Sequence, residues 1–75
     1  MEEFDNTHKP FHYNQGSIET INLIQGTVSS KEFEGYLKGN IIKYLSRYNY
    51  KKEPLNDLNK AEWYLKRLIK ELEKV

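Results

Sequence analysis

Apolar residues recur every three or four positions along most of this chain, and no stretch alternates apolar and polar residues in a sustained way. That pattern predicts helices and no sheet. Ile18, Ile21, Ile24 and Val28 line one face of a first helix over 17–27. Ser17 is placed to cap it, and Glu19 sits favourably in its first turn. Ser29 and Glu32 form a capping box for a second helix over 30–50, whose stripe is Phe33, Leu37, Ile41, Tyr44 and Tyr48. Pro54 disfavours a helical Glu53 and stops that helix. The third helix, over 55–74, carries the strongest periodicity: Leu58, Ala61, Leu65, Leu68 and Leu72, with Ile69 beside them. A break of about five residues favours antiparallel packing of the second and third helices as a hairpin.

Residues 1–16 read differently. Pro10 and the Asn14-Gln15-Gly16 turn signal exclude a helix, yet Phe4, Phe11, His12 and Tyr13 are too apolar for a free tail. The expectation is an ordered, irregular N-terminal arm lying on the helices. The fold class that follows is all-α: one small three-helix domain spanning 1–75.

Size sharpens this picture. A chain of 75 residues buries little surface, and without cysteine it has no disulfide to reinforce it. A homo-oligomer is therefore expected. No apolar run reaches the roughly 18 residues of a membrane span, and the acidic, polar start does not read as a secretory signal. A formal net charge of +1 argues against a protein that coats nucleic acid.

That charge is unevenly placed. From Gly35 to Lys52 there are five cations and no carboxylate. Tyr36, Asn40, Lys43, Arg47 and Tyr50 follow at steps of four, three, four and three, a ladder beside the core stripe of the second helix. Its donors and phenols suit an anion carrying a planar group, such as a nucleotide. Arg47 can fork onto phosphate oxygens, Lys43 supplies a point charge, and Tyr36 or Tyr50 can stack on a base. Gly35 and Gly39, four apart, leave room on their side of the same helix for another backbone or a ligand.

On the third helix, at about 100° per residue, Trp63 falls roughly opposite a stripe centred on Leu65, among Lys60, Arg67, Lys70 and Lys74. Three roles fit it: an oligomer interface, a base-stacking platform ringed by cations, or a surface packed by the N-terminal segment.

Motifs for chemistry are sparse. No glycine-rich phosphate loop or nucleophile elbow is present. His8 and His12 are separated by Pro10, which blocks the helical alignment a metal pair needs, so no metal site is expected. Carboxylates near the core edges reduce to Glu19, Asp57 and Glu62. His12 is the single acid–base candidate. With Tyr13 it is also expected to be brought over to the ladder by the arm.

The motifs "PFHYNQGSIETINLI", "FEGYLKGNIIKYLSRYNYKK" and "DLNKAEWYLKRLI" resemble a family of small bacteriophage proteins, the SaV-like or nucleotide-kinase-like family, a domain of unknown function. The residues that carry it are His12-Tyr13, Gly16, Ile18-Glu19, Gly39-Asn40, Lys43-Tyr44, Arg47, Lys60-Ala61 and Trp63-Tyr64-Leu65. The chain departs from the family pattern at Lys51-Lys52-Glu53-Pro54, where relatives carry a Lys-Asn-Gly-like turn. The resemblance implies a phage accessory protein in the host bacterial cytoplasm. It implies a nucleotide ligand, either in a kinase-like activity, which would involve magnesium, or by sequestering a signalling nucleotide in counter-defence. The alternative it implies is an interaction module that binds, or is sensed by, a host or abortive-infection defence protein.

Overall fold

The computed structural model describes residues 15–50 and 52–74, and these are mostly helical, with no strand among them. Helix α1 spans Gln15–Thr27, α2 spans Ser30–Arg47 and α3 spans Pro54–Leu72, with a single 3₁₀ turn over Tyr48–Tyr50. The arm residues Phe4, Phe11, His12 and Tyr13 lie outside the described residues.

Local chemistry explains most of the boundaries. The capping box is made: the Ser29 Oγ accepts from the Glu32 N–H at 3.1 Å, and the Glu32 Oε1 accepts from the Ser29 N–H at 2.8 Å. Pro54 occupies the first turn of α3, where its missing N–H removes no helix bond. Two boundaries differ from expectation. Helix α1 begins at Gln15, so Ser17 lies inside it and Glu19 is beyond its first turn. Gln15 and Gly16 are helical, not a turn, and the Thr20 hydroxyl donates back to the Gly16 carbonyl at 3.0 Å. At the other end of the hairpin, α2 tightens into the 3₁₀ turn after Arg47, so Tyr48 and Tyr50 leave the helical register.

The hairpin of α2 and α3 holds the core. Phe33, Leu37 and Tyr44 of α2 meet Ala61 and Tyr64 of α3, and Ile21 of α1 closes the cluster. Ile24, Tyr36, Ile41, Trp63 and Leu68 are packed against it. A polar clasp ties α1 down. The Arg67 Nη2 donates to Asn22 Oδ1 at 3.1 Å and to Gln25 Oε1 at 2.9 Å, and Gln25 Nε2 donates to Glu71 at 2.8 Å.

The face that α3 buries is a correction. Its buried residues are Asp57, Ala61 and Tyr64, whereas Leu65, Ile69 and Leu72 of the expected stripe are exposed. Tyr48 of the α2 stripe is exposed as well. The reason is what faces α2. The Tyr64 ring stacks on Tyr44 at 5.9 Å with planes 13° apart, and Asp57 reaches Arg47. Burying Asp57 and Tyr64 beside Ala61 and Leu68 turns the helix by about half of one residue's 100° step, so that Ala61 and Leu68 stay inward while Leu65 turns out. Trp63 moves with it. Far from lying opposite the core, it packs edge-on against Tyr64 at 5.2 Å.

Gly35 and Gly39 are exposed on α2, and no atom comes within 4 Å of a Cβ built at either. The close approach expected on that face is not made by the described residues. Gly35→Ala and Gly39→Ala should each stabilise the fold by roughly 0.5–1 kcal/mol, because alanine loses less backbone freedom in a helix. Urea unfolding should show a higher midpoint at unchanged slope. A lower midpoint would mean that another group occupies this face.

Candidate functional site

The ladder begins as a product of α2 alone. Steps of four, three and four place Tyr36, Asn40, Lys43 and Arg47 on one flank of the core stripe. Closing the hairpin then adds a residue from α3. Lys43 Nζ lies 4.6 Å from the centre of the Tyr44 ring, Arg47 Cζ 5.2 Å and Lys60 Nζ 5.3 Å. Three cations from two helices thus surround one aromatic ring, whose negative quadrupole offsets part of their mutual repulsion. Lys43 is exposed, while Arg47 and Lys60 are half-buried, so the cluster lies at the surface with its positive charge reachable.

One acid balances it. The Asp57 carboxylate is 3% exposed and pairs with Arg47 Nε at 3.4 Å. The pair fixes the guanidinium relative to Tyr44. Among the described residues there is no group of three or more His, Cys, Asp or Glu placed to hold a metal ion.

The other expected site residues fall into three groups. Tyr36 and Asn40 are on the predicted flank but engaged in the fold. Tyr36 stacks on Phe33 at 5.9 Å and meets Tyr64 edge-on at 6.4 Å, and Asn40 Nδ2 donates to the Tyr36 carbonyl at 2.9 Å. Tyr50 sits exposed on the 3₁₀ turn, off the ladder, because the tightened backbone breaks the spacing. Arg67 belongs to the clasp on α1, with its guanidinium 5.5 Å from the Phe33 ring. His12 and Tyr13 lie outside the described residues.

Two features escaped the sequence reading. Asp57 as the partner of Arg47 had a faint signal: an acid three residues past Pro54, facing back across a short turn. Lys60 as the third cation on Tyr44 had none, because its membership depends on which face α3 turns inward.

Among the described residues no helix is long and apolar enough to cross a membrane. No solved structure matches the chain. It is 37% identical over 67 residues to the nucleotide kinase gp1.7 of Escherichia phage T7, a match that covers 84% of this chain and 34% of that protein. The chain thus spans about a third of the length of that curated relative. A family profile described as a protein of unknown function, DUF3310, matches residues 7–66, a span that takes in α1, α2, the turn and most of α3 together with Lys43, Arg47, Asp57 and Lys60. By this match the chain belongs to the DUF3310 family of proteins of unknown function.

Proposed function

We propose that this chain is a phage accessory protein that binds the phosphate of a nucleotide or nucleotide-like ligand at the Lys43–Arg47–Lys60 cluster. The observation that carries the reading is the convergence of three cations from two helices on the Tyr44 ring. Arg47 offers donors for a charge-assisted fork, and Lys43 and Lys60 supply point charges around the same ring. The name of the phage T7 relative supports a nucleotide ligand, in a kinase-like or a sequestering role. Magnesium would then arrive on the ligand's phosphates.

The test is calorimetry with a panel of mono-, tri- and cyclic nucleotides. Arg47 is a poor probe because it also holds Asp57, so the informative changes are Lys43→Ala and Lys60→Ala. Each should weaken binding by about tenfold, the lower end for a lost hydrogen bond to a charged group, with helicity unchanged. Absence of binding across the panel, or affinities indifferent to both changes, would sink the reading.

A further inference from the structure

The cationic cluster occupies one flank of the hairpin, and the opposite flank is apolar and open. Ile42 and Leu45 of α2 and Leu55, Leu65, Ile69 and Leu72 of α3 are between 46% and 71% exposed. Along α3 the positions 55, 58, 62, 65, 69 and 72 follow strict steps of three and four. Such a seam is the heptad pattern of a helix that packs on another helix, and here it is separate from the face already used against α2. Every position of it is apolar except Glu62, whose carboxylate lies 3.7 Å from Lys66 on its own helix.

We propose that this flank pairs with the same flank of a second copy of the chain, α3 against α3 and antiparallel, so that two hairpins make a four-helix bundle. Three arguments select that occupant. The first is area: the six open side chains present roughly 500 Å² per chain, so two copies remove on the order of 1,000 Å² from water, the size at which a specific interface begins. The second is direction. A parallel pair would set the two Glu62 carboxylates against each other, whereas the antiparallel register sets position 62 against 65, 58 against 69 and 55 against 72. The third is charge. The other flank carries Lys43, Arg47 and Lys60, which would repel their own copies, so self-association favours the apolar side. The phosphate cluster faces away from the seam, and the proposal stands whether or not a nucleotide binds there.

Sedimentation equilibrium on the full chain should give twice the 9.0 kDa chain mass at tens of micromolar. Leu65→Lys with Ile69→Lys should return the single-chain mass with helical circular dichroism retained. A second measurement covers the case in which that variant fails to fold. The chain has no cysteine. An equimolar mixture of Glu62→Cys and Leu65→Cys variants in a thiol–disulfide buffer should therefore form the mixed cross-link well beyond the twofold excess over either like pair that random pairing gives, resolved by mass spectrometry. A wild-type particle of 9.0 kDa overturns the proposal, whatever covers the stripe in it. So does an assembly that survives the double lysine change, or a mixed species no more abundant than the twofold excess of random pairing. A larger assembly that the double change dissociates, with the mixed cross-link present, supports the seam.

Discussion

Arg47→Ala is expected to destabilise the fold by about 2–4 kcal/mol, a large effect for a cation at the surface. An exposed ion pair contributes about 0–1 kcal/mol, and its loss would pass almost unnoticed. Asp57 makes the difference. It is 3% exposed, so removing Arg47 leaves a buried carboxylate without its cation, and that uncompensated charge costs more than the pair was worth. The Arg47 side chain is itself 39% exposed, so water can reach the vacated space, and the expected loss stays below the top of the range for fully buried pairs. Urea unfolding of a double-mutant cycle reads this directly. Arg47→Ala should be costly, Asp57→Asn milder, and Arg47→Ala with Asp57→Asn better than the sum of the two. Arg47→Lys should recover only part, because the planar fork is lost. Additive losses would show that the two side chains do not act as a pair.

Leu37→Ala is expected to cost about 3–4 kcal/mol. Leu37 is fully buried, at the centre of the cluster formed by Phe33, Tyr44, Ala61 and Tyr64. Truncating it loses the transfer of the side chain from water and leaves a cavity that stacked rings fill poorly. A chain of this length has a total stability of roughly 4–11 kcal/mol, so the change removes a large fraction of it. Thermal or urea unfolding should show a marginal or unfolded variant at room temperature. A loss under about 1 kcal/mol would mean that the core can collapse around the gap and that Leu37 is not its centre.

These two residues also mark how far the sequence could be read. Leu37 was legible: it sits mid-stripe in α2, between Phe33 and Tyr44, and those three are the buried residues of that helix. Arg47 was legible as a ladder cation but not as the partner of a buried acid. The ladder itself came from spacing along one helix and lies on one flank as expected, except at Tyr50. Lys60 joined it only through the hairpin. Trp63 was assigned outward on the premise that the whole leucine stripe of α3 faces inward, and that premise held for Ala61 and Leu68 but failed for Leu65, Ile69 and Leu72.

What the sequence determined by itself is local. Three helices, the start of α2 at Ser29 with Glu32, the stop before Pro54 and the absence of strands among the described residues all rest on interactions within a few residues, which a linear pattern contains. What the tertiary structure alone decided is the rotation of α3 about its axis. Both of its faces carry apolar residues at helical spacing, so periodicity cannot choose between them. The choice was made by the Tyr44–Tyr64 stack and the Arg47–Asp57 pair, contacts between residues twenty and ten positions apart that form only once the hairpin closes. That same rotation placed Lys60 beside Lys43 and Arg47, drew Trp63 against the core and left Leu65, Ile69 and Leu72 on the surface, because turning a helix to bury one face exposes the other.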